Sequence, residues 1–151
     1  MFTSRDLAHL AEKPRELAQK MIAACAARGI DLLITRTYSD YEYQAELYKI
    51  GRTKETTRRP VTNAAAGESW HNFRCAWDVV PLIGGKCVWD DMKMWDDVIT
   101  IGTMFGAQAG AHFTHFPDRP HFQLLPSPTM TLAAARVLWE VGGDVWGNGK
   151  L

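Results

Sequence analysis

The sequence has 151 residues, and its 17 Lys and Arg are balanced by 17 Asp and Glu, so the formal net charge is zero. This length suits one domain, and a content of 46% hydrophobic residues with six Trp and six Phe excludes intrinsic disorder as the main state. Because basic residues do not outnumber acidic ones, nucleic-acid binding is not expected. No apolar run reaches the ~18 residues of a transmembrane helix, so stable membrane association is not expected.

The start of the chain and the cysteines indicate the compartment. Asp6 lies where a secretory signal would have a positive start and an apolar run, so no export signal is visible. Cys25, Cys75 and Cys87 are odd in number and lack CxxC spacing, which indicates neither a disulfide framework nor a zinc finger. We therefore expect free thiols and synthesis in a reducing cytoplasm.

The first half of the chain predicts two helices and a strand. Residues 14–28 repeat apolar positions at helical spacing, and the β-branched run 30–35 is typical of a buried strand. Ser39 followed by Glu42 has the form of a capping box, which predicts a helix over residues 40–50.

The second half begins with a long aperiodic loop, residues 52–68, and loops of this length are often functional. Gly84-Gly85 predicts a hairpin. The expected strands and helices are residues 75–83, 86–89, 92–105, 122–125 and 131–141. The order predicts an α+β fold, a single domain with a small antiparallel sheet flanked by helices.

Two short segments, residues 69–78 and 116–122, together contain two His and two Asp beside predicted strands. Two imidazoles and one carboxylate form a three-ligand zinc set that leaves one position open for water, as in catalytic sites. A separate carboxylate must then move the proton, and Asp118, three residues before His121, suits that role. The same residues also fit a simpler interpretation, in which the histidines belong to ordinary loops and Asp118 to an Asx turn.

The wider motif context resembles a known family. Ser69-x-His71, Ala76-x-Asp78 and Asp118-x-Pro120-His121 follow one another in the family's order, after a helix with Gln44, Leu47-Tyr48 and Gly51-Arg52-Thr53. The sequence is similar to the zinc peptidases of the D-Ala-D-Ala carboxypeptidase and L-alanyl-D-glutamate endopeptidase family, which cleave peptidoglycan, and most of all to bacteriophage endolysins. The resemblance implies the hedgehog/DD-peptidase-like fold.

By position, the resemblance implies that His71, Asp78 and His121 bind Zn²⁺ and that Asp118 is the catalytic acid and base. It also implies that Ser69 and Gln44 line the substrate cleft. From the residues alone, Ser69 could equally be a turn hydroxyl, and Gln44 could lie on a solvated helix face.

The sequence departs from the family pattern at two positions. Arg74 replaces a glycine of the zinc motif, and Ser39 replaces an arginine thought to contact substrate. We expect another guanidinium to reach the cleft and stabilise the developing negative charge, with Arg36 preferred over Arg74. His112 and His115 could be cleft residues, but loop histidines are the better interpretation.

The resemblance implies a zinc-dependent endolysin that hydrolyses the stem peptide of peptidoglycan, with the L-alanyl-D-glutamate bond as the preferred assignment. A D-Ala-D-Ala carboxypeptidase or dipeptidase would use the same residues, and a non-catalytic zinc-stabilised wall-binding domain is the third alternative.

We expect a monomer without a separate wall-binding module. It would be made in the host bacterial cytoplasm and act at the wall after the membrane is permeabilised. Most tryptophans are expected in the core, although some could stack on sugars.

Overall fold

The computed structural model describes residues 1–147, so residues 148–151 of the expected domain lie outside the described part. The described chain contains four α-helices and five antiparallel strands. The helices are α1 (Glu12–Ala26), α2 (Tyr41–Lys49), α3 (Met92–Met104) and α4 (Leu132–Glu140). The strands are β1 (Asp31–Arg36), β2 (Ala76–Ile83), β3 (Lys86–Cys87), β4 (Gln108–Ala109) and β5 (His121–Gln123). The predicted α+β fold with a small antiparallel sheet is confirmed.

The cap of α2 differs from the prediction. Asp40 is the N-cap residue, because its carboxylate accepts a hydrogen bond from the Tyr43 amide at 2.7 Å. The expected capping box of Ser39 and Glu42 is therefore wrong. The Ser39 hydroxyl is used elsewhere, since it accepts a hydrogen bond from Arg36 at 2.8 Å.

The sheet has the order β1-β2-β5-β4, and β3 pairs with the far end of β2. In the register, Asp78 of β2 is the partner of Arg36 on one side and of His121 on the other. Cross-strand partners project from the same face of a sheet, so three predicted site residues meet in one row. The β1–β2 register shifts between Ile34 and Arg36, and such an irregularity redirects the side chain that follows it.

The turn between β2 and β3 is the predicted glycine hairpin. Gly84 and Gly85 have φ angles of +55° and +77°, the left-handed values that a two-residue turn needs and that glycine adopts without a Cβ clash. β3 ends at Cys87, two residues before the expected end. β4 was not expected, because a strand of two residues is too short to show a periodic pattern.

The main core lies between the sheet and helices α1 and α3. Trp77 is fully buried there and stacks on Phe122, with ring centroids 6.2 Å apart. Trp77 and Val79 are core residues, whereas Asp78 between them belongs to the opposite face, as strand alternation requires. Trp95 is also buried, in α3. The core therefore supports one face of β2, and the other face is available for a site.

The state of the cysteines agrees with the prediction. Cys25 and Cys75 are buried free thiols, and Cys87 is an exposed one. None of the helices within residues 1–147 combines the length and the apolar character needed to cross a membrane.

Candidate active site

Three side chains converge on the open face of the sheet. Asp78 comes from β2, His121 from β5, and His71 from a 3₁₀ turn over Trp70–Phe73. His71 Nε2 lies 3.1 Å from Asp78 Oδ1 and 3.2 Å from His121 Nδ1, and His121 Nδ1 lies 3.2 Å from the same carboxylate oxygen. These three residues are named the His–Asp–His cluster below.

Hydrogen bonds behind the cluster orient both imidazole rings. Nδ1–H of His71 donates to the carbonyl oxygen of Thr37 at 2.6 Å, and Nε2–H of His121 donates to Oε1 of Gln123 at 2.8 Å. The side chain of Gln123 is itself held in place, because its Nε2 donates to Oε1 of Gln108 at 2.8 Å. In its neutral form each ring therefore presents its unprotonated nitrogen to Asp78, which is the orientation that a metal ligand requires.

The cluster fits a metal ion. Ligands at about 2.0–2.1 Å from a tetrahedral zinc ion lie roughly 3.3 Å from one another, close to the 3.1–3.2 Å spacing of the three donor atoms. His71, Asp78 and His121 form a potential metal-binding group in the described chain. Two nitrogens and one oxygen leave a fourth position free, as in catalytic rather than structural zinc sites.

The protonation states of His71 and Asp78 also suit a metal ion. Burial lowers the pKa of His71, which favours the neutral ring. Burial alone would raise the pKa of Asp78, but the two imidazoles beside it outweigh the effect of burial and hold that pKa well below its usual range. Asp78 is therefore a carboxylate at neutral pH, and its negative charge makes the cluster attractive to a cation.

Asp118 lines the same cavity but lies outside the cluster. Its amide donates to the carbonyl oxygen of Gly110 at 2.9 Å. A Cβ at position 110 would lie 2.4 Å from the Asp118 carbonyl oxygen and 2.9 Å from Cβ of His121, so only glycine permits this approach. Burial and the nearby charge of Asp78 raise the pKa of Asp118, which suits a group that must both accept and donate a proton.

Arg36 forms another part of the cavity wall, at the end of β1. Its Nε donates to Ser39 Oγ at 2.8 Å, and its Nη2 donates to Gln44 Oε1 at 2.6 Å. The amide nitrogen of Gln44 donates to the carbonyl oxygen of Ala64 at 2.7 Å, which ties the long loop to the same group. Arg36, Ser39 and Gln44 are named the arginine network below.

The structure places Gln44 behind Arg36 and not in the cleft. Gln44 is fully buried and does not line the cavity, so it neither faces the cleft as expected nor lies on a solvated helix face. Ser69 does line the cavity, and its hydroxyl also accepts a hydrogen bond from the His71 amide at 3.4 Å. The two interpretations of Ser69 are therefore compatible.

Arg74 does not reach the cavity. Its guanidinium donates to the carbonyl oxygens of His9 and Leu10, both at 3.1 Å. The residue has a φ of +63°, a left-handed value that glycine adopts easily and other residues adopt at a cost. This explains why the resembling pattern has glycine here, and it assigns Arg74 to the fold and not to the chemistry.

The remaining walls come from loops and from residues of α2, β5 and α4. His112 and His115 are exposed and do not line the cavity, as the loop interpretation predicts. The cavity measures about 430 Å³. Wall residues that sequence reasoning missed are Leu47, Trp70, Phe113, Phe116, Gln123 and Leu132. Gln123 could have been found, because it lies two residues after His121 on a strand and so projects from the same face.

A site with two imidazoles and one carboxylate beside a separate half-buried carboxylate is typical of metal-dependent hydrolases. Residues 8–93 match the VanY family, described as D-alanyl-D-alanine carboxypeptidase. Since the match covers more than half of the chain, the protein belongs to this peptidase family, and the predicted family and enzyme class are confirmed.

Individual relatives agree with this assignment. The chain is 34% identical over 122 residues to the peptidoglycan L-alanyl-D-glutamate endopeptidase CwlK of Bacillus subtilis (strain 168), covering 75% of this chain and 72% of CwlK. Its fold is similar to the L-Ala D-Glu endopeptidase ChiX of Serratia marcescens, with a TM-score of 0.59 and 18% identity over 83% of this chain and 90% of ChiX. It is also similar to a mutant vancomycin resistance D,D-pentapeptidase VanY from the VanB-type resistance cassette, in complex with Zn(II), with a TM-score of 0.61 and 15% identity over 90% of this chain and 81% of VanY.

Proposed function

We propose that the protein is a zinc-dependent endopeptidase that hydrolyses the L-alanyl-D-glutamate bond in the stem peptide of peptidoglycan. The observation that carries the proposal is the placement of the His–Asp–His cluster and Asp118 in one cavity. The identity of 34% with CwlK supports the choice of bond.

In this proposal His71, Asp78 and His121 hold the zinc ion. Zinc, when bound, supplies a Lewis acid that polarises a carbonyl group and lowers the pKa of water. The chain contributes the orientation, since Thr37 and Gln123 hold the two rings by hydrogen bonds at 2.6 and 2.8 Å. Such partners of metal ligands usually contribute a factor of about 10–100 to metal affinity.

Asp118 is the proposed general base and general acid. As a carboxylate it accepts the proton of the attacking water, and as a carboxylic acid it donates that proton to the nitrogen of the leaving amine. Its raised pKa makes it a stronger base than an exposed aspartate and increases the fraction that is protonated at a given pH. A domain that only binds the cell wall would need zinc for stability but would not need this proton carrier, so Asp118 disfavours the non-catalytic alternative.

Arg36 is the proposed donor to the scissile carbonyl oxygen, on which negative charge develops. The arginine network holds the guanidinium in place before substrate arrives, and preorganised donors of this kind stabilise the transition state. Ser69 and the loop residues Thr62 and Asn63 line the cleft and are proposed to contact the peptide.

A D-Ala-D-Ala carboxypeptidase is the second candidate, because the matching family is described by that activity. The two activities release different products from one substrate. Purified peptidoglycan is digested with the zinc-loaded protein and with a chelator-treated sample, and the products are identified by mass spectrometry. A new amino-terminal D-glutamate supports the proposed bond, whereas release of D-alanine supports the second candidate. Equal products with and without chelator would refute zinc dependence.

The endolysin role and a monomeric state complete the proposal. They are supported by the motif resemblance to bacteriophage endolysins. Co-expression with a membrane-permeabilising protein is expected to lyse a bacterial culture, whereas expression of this chain alone is expected to leave cells intact. Lysis by the chain alone would contradict this delivery route, and a dimer in size-exclusion chromatography would contradict the monomer.

A further inference from the structure

A second cavity, about 460 Å³ in volume, is also lined by the Asp118 segment. Asp118 lines both this cavity and the one that contains the His–Asp–His cluster. Pro117, Arg119 and Pro120 form the part of the wall that comes from the same loop, and Trp89 and Trp95 form another part. The proposed reaction does not use either tryptophan.

The two tryptophans of this cavity have unusual surroundings. Trp89 follows β3 and is 54% exposed, although it is among the largest apolar side chains. It packs on Trp95 with ring centroids 6.3 Å apart and an angle of 31°. Trp95 is only 1% exposed, and its Nε1 has no hydrogen-bond partner among residues 1–147. Buried indole N–H groups usually have a partner, but this one is enclosed, so what the wall offers to a ligand is the exposed aromatic face of Trp89 packed on a buried ring.

We propose that the Trp89–Trp95 cavity binds the N-acetylated sugar to which the stem peptide is attached. A pyranose ring has an apolar C–H face that packs on an aromatic ring, and it has hydroxyl and acetamide groups at its edge. Trp89 offers the ring face, while Arg119 and Asp118 offer polar groups at the rim. This inference rests on the proposed function, because it assumes that peptidoglycan is the substrate.

The short distance in the substrate between the sugar and the scissile bond agrees with a sugar site in the Trp89–Trp95 cavity. In peptidoglycan only one alanine and a lactyl ether separate the sugar from the L-alanyl-D-glutamate bond, a reach of about 7 Å at ~3.5 Å per unit. The sugar must therefore occupy a cavity that adjoins the reacting groups, and the Trp89–Trp95 cavity shares Asp118 with them.

The other neighbouring cavity suits the remaining peptide better. It is lined by Arg136 and Glu68, and it shares Asn63, Ala64, Glu68 and Leu132 with the central cavity. Ionic groups of both signs match a peptide that carries carboxylates and an amine, whereas they offer no ring face to a sugar. The structure thus gives the bound substrate a direction, with the sugar beyond Asp118 and the peptide extending toward Arg136.

The test compares one peptide with and without its sugars. The zinc-loaded protein is given a disaccharide-tetrapeptide muropeptide and the same tetrapeptide, N-acetylated and free of sugar. Trp89→Ala is expected to lower kcat/KM for the muropeptide about threefold to tenfold, the range expected for a lost stacking contact, and to leave the free peptide unchanged. Trp89→Phe, which retains a ring, should recover most of the difference. Phe105→Ala removes another exposed aromatic side chain, 45% exposed at the far end of α3, and should change neither substrate.

A second measurement does not depend on activity. The indole N–H signals of Trp89 and Trp95 are followed by NMR while a tetrasaccharide of N-acetylglucosamine is added to the metal-free protein, and both are expected to shift. Shifted signals in a protein that cleaves neither substrate would refute the proposed function and support the sugar site. Cleavage of both substrates with unshifted signals, or an equal loss on both substrates in Trp89→Ala, would overturn the sugar site alone.

Discussion

The His–Asp–His cluster and Arg36 line the same cavity, but the chain holds them in different ways. The cluster is held mainly by the backbone, because Asp78 and His121 are paired in the sheet and His71 donates to the Thr37 carbonyl. Arg36 is held by two side chains, through its contacts with Ser39 and Gln44.

This difference explains why one part of the site follows the family pattern and the other does not. Ligands placed by strand register cannot move without moving the sheet. A guanidinium on a long side chain can reach one point from several positions, provided that neighbours orient it. Ser39 stands where the family pattern has arginine, and here its hydroxyl orients Arg36 instead. The following predictions test this contrast, from the largest expected effect to the smallest.

Removal of a cluster ligand should give the largest effect. His71→Ala is expected to abolish stoichiometric zinc binding and peptidase activity, because two remaining donors cannot hold the ion at the open site. Zinc binding to the folded state also contributes to stability, so chelator should lower the Tm of the wild type and leave that of the variant unchanged. Metal analysis and thermal unfolding check both points. One zinc ion per chain in the variant would show that His71 is not a ligand.

Asp118→Asn should retain zinc and fold, but lose roughly 10²–10⁴ in rate, the usual contribution of a general acid and base. Burial raises the pKa of Asp118, which means that the charged carboxylate costs stability in the folded metal-free protein. The neutral amide should therefore not reduce the stability of that protein at pH 7. Loss of zinc in this variant would instead make Asp118 a ligand.

The pH profile provides an independent test of Asp118. The base must be ionised, so kcat/KM of the wild type should fall as the pH falls through the pKa of Asp118. The raised pKa places this fall at a higher pH than for an exposed aspartate. In Asp118→Asn the residual activity should no longer fall at low pH because of this group. An unchanged acidic limb in the variant would assign the limb to another group.

Arg36→Ala should lower kcat by about 10²–10³, as expected for loss of one preorganised donor, with zinc content unchanged. Arg74→Gly is the matched control, since it removes the other candidate guanidinium and inserts the residue that the left-handed φ of +63° favours. The control should lose the hydrogen bonds to His9 and Leu10 but keep its kcat. Full activity in Arg36→Ala would show that the arginine network does not take part in the reaction.

The sequence predicts the backbone-held part of the site better than the part that is held by side chains. The cluster and Asp118 are predicted by the resemblance to the family motifs, whose residue types and spacings are visible in one chain. The hairpin at Gly84-Gly85 and the core position of Trp77 follow equally directly from local patterns. Fold class and ligand placement are therefore encoded by local signals.

Interactions between distant parts of the chain were harder to predict. The Thr37 carbonyl that orients His71 carries no side-chain signal. Ser39 had the spacing of a helix cap, but its contact with Arg36 competes for the same hydroxyl, and Asp40 caps the helix instead. Gln44 was expected in the cleft because a linear pattern shows that a residue is near the site and does not show whether it lies in front of or behind Arg36.

Gln44 gives the smallest predicted effect and the sharpest test of the contrast. Gln44→Ala removes the 2.6 Å bond to Nη2 of Arg36, while Ser39 still accepts from Nε. We expect kcat to fall about tenfold, less than for Arg36→Ala, because one of two orienting bonds remains. If Gln44 acts through Arg36, the double variant Arg36→Ala/Gln44→Ala should be no slower than Arg36→Ala alone. Zinc content should stay at one per chain throughout, because Gln44 does not contact the cluster. Additive losses in the double variant would show that Gln44 supports the reaction by another route, such as its bond to the Ala64 carbonyl in the long loop.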